Sequence, residues 1–179
     1  LSFSVCSKIG DKGVNCLIGS SSLPVIPIGA NNSTGLKLQK ELGDCLINLN
    51  GLLIAIEVKT EIYNKYGNLF IEIYSNSKTN NLGWIISSSA DILAYSFLEE
   101  NLTYFLNMKE LKKWGLIHKN FKRFPIKAQH KRNQKNLTLG RVIPIRVLSD
   151  ELENFEVREM DKPLDLQRLF LQLNIKTEV

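Results

Sequence analysis

Residues 43–61 read GDCLINLNGLLIAIEVKTE, two apolar runs separated by Asn50-Gly51. That dipeptide is the strongest short-range signal for a two-residue hairpin turn, because both central positions require positive φ. If the turn closes a hairpin, Leu49 stands opposite Leu52, and the pairing continued along both strands sets Asp44 opposite Glu57. Side chains alternate across a strand, and opposed residues share a face. One face is then Cys45, Ile47, Leu49, Leu52, Ile54, Ile56 and Val58, an apolar set that belongs on a core. The other face carries Asp44, Glu57 and Lys59. Carboxylates at opposed positions, with Cβ atoms roughly 5 Å apart, repel unless positive charge lies between them. A divalent cation and the Lys59 ammonium are the natural candidates.

An Asp, a dozen residues, then Glu-x-Lys on the second strand of a hairpin resembles the PD-(D/E)XK nucleases, the fold of many restriction enzymes, resolvases and some homing endonucleases. Gly43 stands where the signature has proline. The resemblance implies an α/β fold with a restriction-endonuclease-like core, a mixed central sheet with a three-stranded antiparallel meander flanked by helices. It also implies catalytic roles for Asp44, Glu57 and Lys59, with magnesium, or manganese in its place, held by Asp44, Glu57 and the carbonyl of Val58. Glu41, on the preceding helix, is a candidate auxiliary acid by the same resemblance, or a plain surface charge. The residues alone also fit a solvated strand on which Glu57 and Lys59 merely neutralise each other.

The charge distribution points to nucleic acid. Residues 108–146 hold twelve Lys or Arg against the single acid Glu110, a local balance of +11, so that the rest of a chain of net charge +5 sums to −6. A basic stretch of this kind gains affinity by releasing counterions from a phosphate backbone, although a solvated basic face without a partner has the same composition. Within it Lys127, Lys131 and Lys135 suit phosphates, while Gln129, His130, Arg132, Asn133, Gln134 and Asn136 suit base edges, with Arg141 on the strand that follows. Double-stranded DNA is the expected partner, cut by a symmetric dimer or higher homo-oligomer that brings one site to each strand.

A chain of 179 residues suits one nuclease domain: a core over about 33–115, a DNA-contacting region over about 116–146 and a C-terminal helix over about 163–174. Hydrophobic content of 44% and charged content of 23% argue against disorder. No apolar run reaches the roughly 20 residues of a membrane span, and no basic-then-apolar leader opens the sequence, so a cytoplasmic protein is expected. The three cysteines, Cys6, Cys16 and Cys45, have neither zinc spacing nor a disulfide framework, which suits a reducing compartment.

Along the chain, residues 1–30 read as short peripheral strands (LSFSV, VNCLIGS, VIPIG). Asn32-Ser33-Thr34 then opens a helix, with Leu36, Leu38 and Leu42 facing inward and Gly43 ending it. LFIEIYS, residues 69–75, is expected as the third strand of the hairpin's sheet, with Glu72 as a second auxiliary acid among apolar neighbours. Ser88 and Asp91 suggest a cap ahead of a helix over ADILAYSFL. LTYFLN reads as a strand, Asn107 as the cap of MKELKKW, and Gly115 as its end. A strand with a proline follows the basic region, and Asp161-Pro163 opens a helix with Leu166, Leu169, Phe170 and Leu173 on one face. The expected activity is magnesium-dependent hydrolysis of DNA, sequence-specific as in restriction or homing enzymes. The alternatives are a structure-specific resolvase, an RNA-cleaving toxin of the same fold, or a DNA-binding protein without catalysis.

Overall fold

The computed structural model describes residues 3–29, 32–129 and 137–175. It begins with helix α1 (Phe3–Ser20), strand β1 (Val25–Pro27) and helix α2 (Ser33–Leu42). The hairpin follows as β2 (Cys45–Leu49) and β3 (Leu52–Glu61), in the expected register with Leu49 paired to Leu52 and Cys45 to Ile56. Asn50 and Gly51 have φ of 52° and 92°, and the Gly51 N–H donates to Asn48 Oδ1 at 2.8 Å. The turn is therefore the type that matches strand twist.

Next come β4 (Asn68–Asn76), β5 (Asn81–Leu82), the single turn α3 (Trp84–Ser87), β6 (Ile92–Phe97), β7 (Leu102–Asn107) and α4 (Met108–Lys112). The chain ends with β8 (Ile126–Gln129), β9 (Thr138–Pro144), α5 (Ile145–Glu151), β10 (Phe155–Glu159) and α6 (Leu166–Gln172). The fold is mixed α/β. A six-stranded sheet runs β1-β2-β3-β6-β7-β10, parallel only between β3 and β6, and a four-stranded antiparallel sheet runs β5-β4-β9-β8.

The apolar face of the hairpin packs as expected. Cys45, Ile47, Ile54, Ile56 and Val58 are buried with Leu17 of α1 and with Leu166, Leu169 and Phe170 of α6. The opposite face of the large sheet, through Ala55, Leu93, Tyr95 and Phe97, closes on Leu69 and Ile71 of β4, on Trp84, and on Leu111 of α4. The small sheet thus lies over the face that carries Glu57 and Lys59. No helix among the described residues is long and apolar enough to cross a membrane.

Several expectations are corrected. Residues 3–20 form a helix, not peripheral strands: Gly10 and Gly13 interrupt its apolar stripe in the sequence, yet Gly13 lets α1 lie close on β3, where a Cβ would come within 3.2 Å of Val58. ADILAYSFL is not a helix. All six residues of β6 are buried, so a strand covered on both faces shows no alternation and reads like a buried helix. The supposed cap residues do other work, with Ser88 Oγ accepting from the Ala90 N–H at 3.2 Å and Asp91 Oδ2 from the Ala55 N–H at 2.8 Å. β4 is not the third strand of the hairpin's sheet but pairs with β9, and the antiparallel triplet is β1-β2-β3. α2 buries no side chain, and Leu36 and Leu38 are exposed. Gly115 sits inside a π-helical turn, Lys113–Ile117, against the Phe121 ring rather than at a helix end.

Asn107 caps α4, its Oδ1 accepting from the Glu110 N–H at 3.0 Å, as expected. Asp165, not Asp161, caps α6 through the Arg168 N–H at 3.1 Å. Strand β10 had no counterpart in the sequence reading, since FEVRE carries too few apolar residues to announce itself.

Candidate active site

Helix α2 ends at Gly43, whose φ of 103° turns the chain sharply into Asp44, with the Gly43 N–H still donating to Gln39 O at 2.9 Å. A Cβ at this position would lie 2.7 Å from Ile56 O. The Asp44 N–H donates to that same Ile56 carbonyl at 2.8 Å, while Asp44 Oδ2 accepts from the Val58 N–H at 2.7 Å. The carboxylate is therefore aimed across the strand rather than into solvent.

On β3, Glu57, Lys59 and Glu61 occupy alternate positions and share a face. The Lys59 ammonium forms an ion pair with Glu57 Oε1 and lies 3.9 Å from Asp44 Oδ2. It also stands 5.9 Å from the centre of the Trp84 ring, which forms a floor beneath it. Glu57 is only 5% exposed, whereas the Lys59 side chain keeps 30% of its surface open. The structure thus brings together the three residues singled out in the sequence.

Burial pushes the Asp44 carboxyl above its ordinary pKa; Lys59 pulls it down, Glu57 raises it further and the Val58 N–H lowers it. Burial opposes the charge on Lys59, but Glu57 and Asp44, with Glu72 behind them, outweigh it and raise its pKa. Glu57 acts on Lys112 as well as on Lys59, so the two acids stand among two ammonium groups.

The parallel ladder places Tyr95 beside Lys59. Its hydroxyl donates to Glu61 and accepts from the Phe70 N–H at 3.3 Å. Burial raises the pKa of Glu61, against the pull of the Tyr95 hydrogen bond, and burial together with Glu61 holds the Tyr95 hydroxyl well above the usual phenol value.

Burial also pushes the Cys45 thiol up to about 12, helped by the charges of Asp44 and Glu57. Iodoacetamide at about pH 8 should therefore leave Cys45 unlabelled in the native protein, since only the thiolate reacts. Peptide mapping should show its labelling rising only with urea-induced unfolding. Native labelling of Cys45 at the rate of a free thiol would contradict this burial.

Asp44 and Lys59 open onto a groove of about 930 Å³ that is also lined by Glu61, Tyr63, Lys65, Tyr66, Phe70, Glu72, Tyr95 and Gln129. Glu72 reaches this groove, and its charge is felt at Lys59 and Tyr95. Glu41 does not line it; it is exposed on α2, with its carbonyl accepting from Ser89. Lys127 and Gln129 lie on β8, all of whose residues are exposed. Arg141 is engaged differently, donating to the Phe124 carbonyl and so tying that turn to β9. His130, Lys131, Arg132, Asn133, Gln134, Lys135 and Asn136 lie outside the described residues.

Glu61, Tyr95 and Trp84 are groove residues that the sequence did not single out. Glu61 was legible, since it shares parity with Glu57 and Lys59. Tyr95 was hidden by the helical misreading of β6, and Trp84 by its position on α3, a turn of four residues.

No family model matches the chain, and no curated protein matches it. Among solved structures, that of a bacterial homing endonuclease, I-Ssp6803I, is similar over 75% of this chain and 81% of that one, with a TM-score of 0.38 and 17% identity. A likeness of that degree adds nothing by itself to the geometry of the groove.

Proposed function

We propose that this protein is a magnesium-dependent endonuclease that hydrolyses phosphodiester bonds of double-stranded DNA at the groove onto which Asp44 and Lys59 open, with Glu57 buried beside Lys59. The observation that carries this is the convergence of two carboxylates on one lysine at a groove, in the Asp, Glu-x-Lys pattern of the PD-(D/E)XK nucleases.

The donor set fits a hard cation. Among the described residues no group of three or more His, Cys, Asp or Glu side chains is arranged to hold a metal. Magnesium requires no such group, because it keeps several waters and is satisfied by one or two carboxylates. Asp44 and Glu57 would hold it, with the Val58 carbonyl as the third protein oxygen that the resemblance implies. When bound, it would polarise a phosphate oxygen and acidify a water.

The remaining steps fall to the protein. The Val58 N–H fixes the Asp44 carboxylate. Glu57 and Asp44 keep the Lys59 ammonium charged and oriented. From there the ammonium hydrogen-bonds the attacking water or a non-bridging phosphate oxygen, and balances the charge that grows as the phosphorus becomes five-coordinate. Glu72 and Glu61 stand behind Lys59 as auxiliary acids. Lys127 and Gln129 on exposed β8 supply phosphate and base contacts. A homodimer would present one such groove to each DNA strand.

Incubation of the purified protein with supercoiled plasmid, phage DNA and total RNA, with magnesium or with EDTA, tests this. The expected result is metal-dependent nicking and linearisation of DNA, with discrete bands for a sequence-specific enzyme. RNA degradation with intact DNA would transfer the site to a toxin-like ribonuclease. Salt-sensitive DNA binding without cleavage of either substrate would reduce the protein to a binding module.

A further inference from the structure

The connection between β3 and β4, residues 62–67, carries two aromatic side chains that the fold leaves uncovered. Tyr63 is 55% exposed, and Tyr66, at 75%, is the most exposed of the large hydrophobic side chains among the described residues. Both line the groove that contains Asp44 and Lys59.

Their exposure is not the slack of a loose loop. The Leu98 N–H donates to Glu61 O at 3.0 Å and the Glu99 N–H to Ile62 O at 2.8 Å. Within the loop the Asn64 N–H donates to Glu100 Oε1 at 2.6 Å, and Asn64 Oδ1 accepts from the Asn68 N–H at 3.0 Å. At the far end the Ile145 N–H donates to Gly67 O at 2.8 Å, and Gly67 takes a φ of 64° that suits glycine. A framework pinned to β6–β7 and β9–α5 holds these rings out to water, so little ordering entropy remains to be lost when something stacks on them.

The surrounding charges narrow the occupant. Lys65 Nζ lies 5.2 Å from the centre of the Tyr66 ring, a cation placed to meet a phosphate beside whatever the ring contacts. Asp44 and Glu72 on the same groove disfavour a continuous run of phosphates. A neutral, flat group with a phosphate on either side, each met by a lysine, satisfies both conditions, and a nucleobase turned out of its helix is such a group.

We propose that Tyr63 and Tyr66 form a stacking platform for a base unstacked from duplex DNA next to the phosphate held at Lys59, with Lys65 on the adjoining phosphate. This deepens the nuclease reading and rests on it for the identity of the substrate. It makes the protein selective for sites where a base is easily extruded, since a mismatch lowers the cost of unstacking.

The test measures binding in calcium, using oligonucleotide duplexes with 2-aminopurine either mismatched or fully paired, and follows both fluorescence and anisotropy. Wild type should quench the mismatched probe. The Tyr63→Ala/Tyr66→Ala protein should leave it bright and bind that duplex roughly ten-fold more weakly, with a smaller loss of affinity for the paired duplex. The Tyr63→Phe/Tyr66→Phe protein should behave as wild type, because phenylalanine retains the ring. Unquenched probe with wild type, or equal binding of the mismatched duplex by the alanine variant, overturns the platform. A protein that quenches but never cuts in magnesium defeats only the nuclease reading, and one that cuts without quenching defeats only the platform.

Discussion

Lys59→Met should lower magnesium-dependent DNA cleavage on the order of 10²–10³-fold, the loss typical when one donor to a developing oxyanion is removed. Methionine keeps an unbranched stem against Trp84, so the change isolates the charge. What disappears is the ammonium that Glu57 and Asp44 hold at the groove. Breaking a buried pair by removing one partner costs about 3–5 kcal/mol, and the cost here should fall below that range because Lys59 is 30% open to solvent. The variant should therefore fold with a lowered Tm, and calcium should raise its Tm more than it raises that of wild type, since a cation now meets two carboxylates that have lost the Lys59 ammonium. Plasmid nicking well below the Tm, paired with DNA binding in calcium, checks the prediction. Undiminished cleavage by a folded Lys59→Met protein would remove Lys59 from the chemistry.

Phe170→Ala should destabilise the protein by about 3–5 kcal/mol, as truncation of a fully buried aromatic does when the cavity cannot collapse. Phe170 is 0% exposed and, with Leu166, Leu169 and Leu173, fastens α6 into the buried cluster that also holds Ile54, Ile56 and Val58. Those strand residues alternate with Ala55, Glu57 and Lys59, so α6 belongs to the core on which the strand bearing the acid and the lysine rests. Domains commonly possess only about 5–15 kcal/mol in total, which makes the loss a large fraction of the whole. Urea titration should show a lower midpoint with an unchanged slope. Leu171→Ala, on the exposed side of the same helix, should stay within about 0.5 kcal/mol of wild type. Equal losses for both variants would mean that α6 is not seated as described.

The hairpin and its residues were legible because three local signals agreed: a turn dipeptide with one preferred geometry, a strict alternation, and acids at opposed positions. The register followed from the turn alone, and with it the apolar set from Cys45 to Val58. The Asn107 cap and the stripe from Leu166 to Leu173 were readable for the same reason, each being a rule that acts within a few residues. What stayed hidden was set by distant partners. β6 is covered on both faces, so its sequence carries no period to read, and Tyr95 was lost with it. β4 alternates well enough to be a strand, but nothing within residues 68–76 says that its partner is β9 rather than β3. The small sheet, which roofs one side of the groove, was invisible for that reason, and so was the fixed loop bearing Tyr63 and Tyr66.

At the residue before Asp44 this chain has glycine where the proposed nuclease pattern has proline, and the backbone shows what that glycine does. Proline's ring confines φ to about −65°, whereas Gly43 stands at 103° with its missing side chain pressed against Ile56 O. Here the aspartate is delivered by a left-handed swerve out of a helix, a route closed to every residue that bears a Cβ. The glycine is as necessary to the placement of Asp44 as the strand that receives it, and any chain that delivers a carboxylate by the same swerve needs glycine at that junction.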